Sequence, residues 1–327
     1  MSTILFIKMK TKDIFLLIML AMAWGSSSLF IKIVAPVIGV FLSVGTRMLL
    51  AAFTLLLIAG IYRQLPDLKN RWKDYLVLGA FNIVVPFVLT TFSVIQLGAS
   101  LAAILGSTIP LFTALAAKFY LHENISGKKL AGMVISVAGI FMVFGWSPAT
   151  AGIGFWLAIL AGPTGSFLYA LSTVYAKRKF SKTGSVDIAT GQIIMAAAIS
   201  LPFLFINYQP VLFAPGILVP LAILAIINTA GGYILYFKLI ANAGTVNASL
   251  VTILVPVFSV LWASVFLEEK ITAGMIAGLG FVLFGLMLVV YNVKRRSVSK
   301  LKLVWINKTY KETPIEKRSK LVTAKCD

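Results

Sequence analysis

Arg47 carries the chemistry that this chain can least easily hide. It stands in GTRMLLAA (residues 45–52), about ten residues into an apolar run from 37 to 61, or ~15 Å along a helix rising 1.5 Å per residue. The ten acids, Asp13, Asp67, Asp74, Glu123, Asp187, Glu268, Glu269, Glu312, Glu316 and Asp327, all fall at the ends of apolar runs, in loops or in the tail. A buried guanidinium without a carboxylate partner must be held by backbone carbonyls, by water or by an anionic ligand group. A role in holding helices together and a role in binding a substrate are both open. At an offset of 145 its counterpart is Gln192, in TGQIIMAA (residues 190–197).

Other polar residues in apolar runs are candidates for the same reason: their burial is costly unless something uses them. Lys32 is two residues from the outer end of the first run, where a lysine usually extends its amine to the interface. It shares a helical face with Trp24 and Ser28 at i, i+4 and i+8, so a ligand-facing stripe is the alternative. Asn82 and Asn228 correspond at an offset of 146, each heading a stripe: Asn82, Pro86, Thr90 and Asn228, Gly232, Tyr236. Two symmetric amides suit a central cavity; hydrogen bonding between helices, worth only ~0.6 kcal/mol on average in membranes, is the plainer role. Tyr169, Tyr175, Tyr233 and Trp24 are rings that either stack on a substrate or pack against helices and lipid. Pro110 and Pro256 each free a carbonyl in mid-helix, as gating hinges or as fixed bends. Gly162-Pro163-Thr164-Gly165-Ser166 is expected to break the sixth helix opposite Gly25-Ser26-Ser27-Ser28 in the first.

The chemistry that is missing is as informative. The chain has one His, His122, and one Cys, Cys326. Disulfides, clustered metal ligands and an intramembrane catalytic centre are therefore not expected, and neither is a cofactor. No phosphate-binding loop accompanies the apolar runs, which argues against ATP-driven transport by this chain alone.

The elements that position these residues are helices in a membrane. Of 327 residues, 60% are hydrophobic and 12% charged, with a mean hydropathy of +0.98; soluble domains carry about 25% charged residues. Ten runs approach the ~20 residues that cross a bilayer: 14–34, 37–61, 75–96, 99–121, 128–146, 152–176, 186–207, 217–241, 246–267 and 272–292. Uniformly apolar runs cannot be barrel strands, and backbone in lipid must bond internally, so all are expected to be helices. The Ala21-Met22-Ala23 sequence after Lys8, Lys10 and Lys12 resembles a signal-peptidase site, but the run continues to Val34, and the first helix is expected to stay.

One block occurs twice. GASLAAILGSTIPLFTALAAKFYLHENIS (98–126) aligns without a gap on GTVNASLVTILVPVFSVLWASVFLEEKIT (244–272), with Gly98/Gly244, Ala102/Ala248, Pro110/Pro256, Phe112/Phe258, Glu123/Glu269 and Ile125/Ile271 identical. The register continues through Gly132/Gly278 and Gly139/Gly285. Five helices per half is an odd number, so the second half must enter the membrane from the other side. The expected fold is thus an all-α membrane protein of ten transmembrane helices in two inverted five-helix repeats around a central cavity. The expected divisions are an N-terminal segment 1–13, a first repeat 14–146, a second repeat 152–292 and a basic tail 293–327.

With the N-terminus inside, 26 of the 29 basic residues fall on the cytoplasmic side, Lys270 alone is outside, and Lys32 and Arg47 lie in spans. The positive-inside rule then places both termini in the cytoplasm of a multi-pass cell-membrane protein. The net charge of +19 reflects this topology, with attraction to anionic lipid at the tail, rather than nucleic-acid binding.

These residues resemble the drug/metabolite transporter superfamily, in its ten-helix EamA-type branch. Trp24-Gly25-Ser26 with Lys32, Arg47 before Leu-Leu-Ala-Ala, and the doubled Ala-Ser-Leu…Pro…Leu-x-Glu block carry the resemblance over residues 14–292. His122-Glu123-Asn124 departs from the Gly-Glu-Arg/Lys of many relatives. The resemblance implies export or exchange of small metabolites such as amino acids, bases, sugars or cationic drugs. Arg47 favours a carboxylate-bearing zwitterion, with Trp24, Lys32, Asn82, Tyr169, Gln192, Asn228 and Tyr236 as further candidate contacts. A multidrug, nucleoside or sugar exporter is the alternative, and a channel or sensor is a more distant one. The oligomeric state, monomer or homodimer, is left open.

Overall fold

The computed structural model describes residues 10–62, 65–121, 125–144, 152–180, 183–206, 210–243, 248 and 250–291. His122, Glu123, Cys326 and the basic tail 293–327 lie outside the described residues, as does nearly all of the N-terminal segment. Among the described residues, eight helices are long and apolar enough to cross a membrane. These are α1 (Thr11–Ile38), α2 (Val40–Ile61), α3 (Leu68–Leu97), α4 (Ala99–Tyr120), α6 (Ile153–Lys179), α7 (Val186–Phe205), α8 (Pro215–Tyr236) and α10 (Ala273–Val290). The set of ten is completed by α5 (Gly127–Phe144) and the shorter α9 (Val251–Phe266). Large apolar side chains, including Phe15, Phe53, Phe141, Phe205 and Phe284, are exposed on the outside of the bundle, as expected of a surface solvated by lipid.

The packing has the two-fold relation that the repeat requires. In the second half, α6 lies against α3 and α4; in the first, its counterpart α1 lies against α8 and α9. The counterparts α2 and α7 pack on each other, as do α5 and α10. The α5–α10 seam shows the inversion directly. A Cβ on Gly132 would meet the Gly285 carbonyl at 2.5 Å, and one on Gly139 would meet the Gly278 carbonyl at 2.7 Å. Contacts that advance along α5 recede along α10, so these equivalent helices are antiparallel. Only glycine permits so close an approach of two backbones.

Apart from a break in α4 at Ser107 and Thr108, four local features bear on the site. Gly39, with φ at 83°, separates α1 from α2. Helix α2 therefore starts at Val40, and Arg47 is seven residues from its end, ~10 Å at 1.5 Å per residue, shallower than the run boundaries suggest. Helix α1 is interrupted at Ser26, where Gly25 presses on α9: a Cβ there would lie 2.6 Å from Phe258 Cβ. The expected matching break in α6 is absent, because Ile153–Lys179 is one continuous helix with Pro163 inside. The corresponding segment of α6 is approached less closely than Gly25: a Cβ would stand 3.0 Å from Leu105 Cβ at Gly162 and 3.4 Å from Leu89 Cβ at Gly165. A proline is tolerated within a membrane helix when neighbours keep the backbone in register.

The fourth feature is symmetric. The segments Gly79–Val84 in α3 and Ile223–Gly231 in α8 are π-helical, and they hold Asn82 and Asn228. Pro86 explains the first: it has no N–H to bond the Asn82 carbonyl four residues back. In the second, Thr229 Oγ1 donates to the Leu224 carbonyl at 2.8 Å, five residues back, closing the wide turn. Such single wide turns inside helices are frequent at functional sites.

Candidate substrate cavity

A cavity of about 240 Å³ lies between the repeats. Five spans of its wall matter most. Trp24, Ser27 and Ser28 come from α1, Arg47 from α2, and Phe87 and Thr90 from α3. Gly106, Ser107 and Pro110 come from α4, and Asn228, Thr229 and Tyr233 from α8. Helix α6 adds Tyr169, and α9 adds Thr252, Pro256 and Ser259. Among the described residues, Arg47 is the one charged residue in this wall.

Arg47 is held from two sides. Its Nε donates to Thr229 Oγ1 at 3.0 Å, and its guanidinium carbon sits 4.5 Å from the centre of the Phe87 ring. Thr229 can accept that bond because its own proton goes to the Leu224 carbonyl left open by the π turn. Of the five guanidinium N–H donors, Nε is the one with a hydrogen-bond partner among the described residues. The terminal nitrogens are left to water or to an anionic group of a ligand.

Asn228 supplies the complementary atom. Its Nδ2 donates to Ser26 Oγ at 3.2 Å and Ser27 Oγ at 3.0 Å, at the break in α1. Its backbone carbonyl accepts from Trp24 Nε1 at 3.0 Å. Its Oδ1 is buried with no hydrogen-bond partner among the described residues. An unmatched buried acceptor costs about 1–3 kcal/mol. The Trp24 indole is clamped between α8 and its tyrosines: the ring is 5.3 Å from Tyr236 and 6.1 Å from Tyr233, and a Cβ on Gly232 would stand 2.3 Å from Trp24 Nε1.

The structure brings together Trp24, Arg47, Tyr169, Asn228, Pro110 and Pro256, and places the other candidates elsewhere. Lys32 Nζ donates to the Ile95 carbonyl at 2.9 Å and the Val94 carbonyl at 3.4 Å, at the C-terminal end of α3, where a cation meets open carbonyls and the negative end of the helix dipole. Asn82 and Gln192 bond each other at 2.9 Å, and Ser172 Oγ donates to Asn82 Oδ1 at 3.1 Å, forming a buried junction of α3, α6 and α7 outside the cavity wall. Tyr236 is not among the residues of the cavity wall; its ring packs on Trp24, 5.3 Å between ring centres. Of the hinge candidates, Pro256 is inside a continuous α9, whereas α4 is interrupted at Ser107 and Thr108, just before Pro110.

The sequence reading passed over Phe87 and Thr229. Thr229 had a signal, since Asn228-Thr229 is a polar pair in an apolar run. Phe87 had none, being one phenylalanine among 23.

The model of the EamA-like transporter family matches residues 11–145 and again 156–291. The chain belongs to that family. It is 24% identical over 285 residues to "Uncharacterized transporter YvbV" of Bacillus subtilis (strain 168), covering 86% of this chain and 92% of that one. It is 24% identical over 308 residues to a "Probable amino-acid metabolite efflux pump" of Salmonella typhimurium (strain LT2), covering 90% and 99%, and 23% identical over 310 residues to the protein of the same description in Escherichia coli (strain K12). A solved crystal structure superposes with a TM-score of 0.62 at 15% identity, covering 88% of this chain and 99% of that one, which is a likeness of fold. The chain is a multi-pass membrane transporter of the EamA-like family.

Proposed function

We propose that this EamA-family chain is a secondary carrier or facilitator that exports or exchanges a small amino acid or similar zwitterion by alternating access between its two halves. The observation that carries the reading is the Arg47 guanidinium in the cavity wall, whose terminal N–H groups have no hydrogen-bond partner among the described residues; Asn228, whose buried Oδ1 is also unmatched, lines the same cavity. A carboxylate answers the first and an ammonium or amide N–H the second. Trp24, Phe87, Tyr169 and Tyr233 leave an apolar wall for the remainder of the substrate. Export fits the efflux described for the two enteric relatives. Both termini are cytoplasmic in this reading, in keeping with the distribution of basic residues.

The cavity volume bears on the multidrug alternative. At about 240 Å³ it falls below the roughly 300–1,000 Å³ of sites for drug-sized ligands. A cationic drug would also meet Arg47 with no acid in the wall to offset it. Nucleosides and sugars lack the carboxylate that Arg47 invites.

Thermal unfolding of the purified protein against a panel of amino acids, nucleosides, sugars and cationic dyes tests this. A ligand at 100 times its Kd stabilises the folded state by about 2.7 kcal/mol. Stabilisation by one or more amino acids, and loss of it on methyl esterification of the ligand, is the expected result. Stabilisation confined to uncharged or cationic ligands would overturn the zwitterion reading.

A further inference from the structure

Outside the cavity, a closely built junction joins the end of α9 to the start of α4. Helix α4 begins at Ala99 after Gly98, which has no side chain to cap it and a φ of 89°. Its first N–H groups would otherwise be open, as at any helix start. Glu269, from the opposite repeat, closes them: Oε1 accepts from Ala99 N at 2.7 Å and Oε2 from Ser100 N at 3.0 Å. The geometry on both sides is built for this carboxylate. Gly98, at φ 89° and ψ 169°, holds a backbone conformation that favours glycine, and a Cβ there would lie 2.8 Å from Glu269 Oε1. On the other side the chain leaves α9 through Glu268 at a φ of 54°, a left-handed conformation unusual for a side-chain-bearing residue. That turn sends Glu269 N back to the Ala263 carbonyl at 3.3 Å and aims its side chain at α4. The same Glu and Gly recur in the sequence at an offset of 146, as Glu123 and Gly244.

The two helices so joined pack on each other and both line the cavity, with Gly106 and Pro110 on α4, and Pro256 and Ser259 on α9. We propose that Glu269 is a positioning residue for transport, a carboxylate clasp that holds α4 against the α9–α10 turn and keeps the cavity shut at the end assigned to the outside. Opening at that end requires the carboxylate to leave the two N–H groups. The proposal rests on the carrier reading above and not on the identity of the substrate.

Labelling by a membrane-impermeant maleimide tests it in intact cells. Cys326→Ser removes the native thiol, and Ala102→Cys places a reporter in the cavity wall on α4. Glu269→Gln, which keeps the size and removes the charge and one acceptor, is expected to raise the labelling rate at least fivefold. Gly98→Ala, which drives the clasp apart sterically, should do the same, and Glu269→Asp should fall between parent and Gln. A second reporter, Val282→Cys in the buried α5–α10 seam, should stay unlabelled in every background. Rates within twofold of the parent for both Glu269→Gln and Gly98→Ala would overturn the proposal. Labelling at both reporters would also overturn it, since it marks Glu269 as a residue that holds the whole fold. The reagent needs no substrate, so a negative result leaves the amino-acid reading standing, and failure of that reading leaves this one.

Discussion

Two asparagines at equivalent positions do different work. Asn228 has an unmatched Oδ1 in the cavity wall, whereas Asn82 spends its amide on Gln192 and Ser172. A net hydrogen bond is worth about 0.5–1.5 kcal/mol. Asn228→Ala is therefore expected to raise the half-saturating substrate concentration by roughly 2- to 13-fold at that energy, and also to lower the unfolding temperature, because the bonds from its Nδ2 to Ser26 and Ser27 are lost. Asn82→Ala should lower the unfolding temperature while sparing affinity; transport titrations beside thermal unfolding separate the two. The sequence showed the pair and its symmetry but not this division. The reason is geometric: the π turn at Gly79–Val84 adds a residue to the helical repeat, so the stripe Asn82, Pro86, Thr90 no longer lies on one face. Phe87 and Thr90 reach the cavity and Asn82 does not. Lys32 shows the same limit. Its type and depth were legible, but the carbonyls of Val94 and Ile95 that take up its charge are some sixty residues away in the chain.

At the scale of elements, close packing sets the architecture. The α5–α10 seam has no room for even one methyl group: a Cβ on Gly285 would lie 2.2 Å from Ser136 Oγ and 2.4 Å from the Gly132 carbonyl. Gly285→Ala should push the helices apart and cost about 1–3 kcal/mol, the usual penalty of overpacking, and Gly139→Ala should match it, as the pseudo-symmetry requires. Thermal unfolding in detergent measures both. The exit from α9 makes the opposite prediction. Glu268 is held in a conformation that costs roughly 1–3 kcal/mol for most residues, and glycine returns part of that gain as chain entropy. Glu268→Gly is expected to stabilise the fold by about 1 kcal/mol, read in the same assay. The glycines of the seam were visible as a repeat in the sequence. The break in α1 without one in α6 was not, because it depends on which partner leans on each helix: α9 on Gly25, and only looser neighbours on Gly165.

For the molecule as a whole, the doubled block made the two-fold architecture legible, since an odd number of helices per repeat leaves inversion as the consistent arrangement. The antiparallel contact of α5 with α10, and the matched pairing of α1 and α6 with their neighbours, are what that reasoning requires. The cavity was less legible, because its wall draws residues from seven helices and no local pattern marks them together. The central claim is that Arg47 receives the carboxylate of a transported zwitterion. The most direct test is counterflow in proteoliposomes loaded with one unlabelled amino acid at a time, comparing the parent with Arg47→Ala. A charge-assisted hydrogen bond to a ligand is worth about 1.5–3 kcal/mol, so the account predicts saturable counterflow in the parent and a loss of roughly 10- to 150-fold at that energy in a variant that still folds. Counterflow of an amino acid at the parental rate by Arg47→Ala, or none for any amino acid by the folded parent, would contradict it.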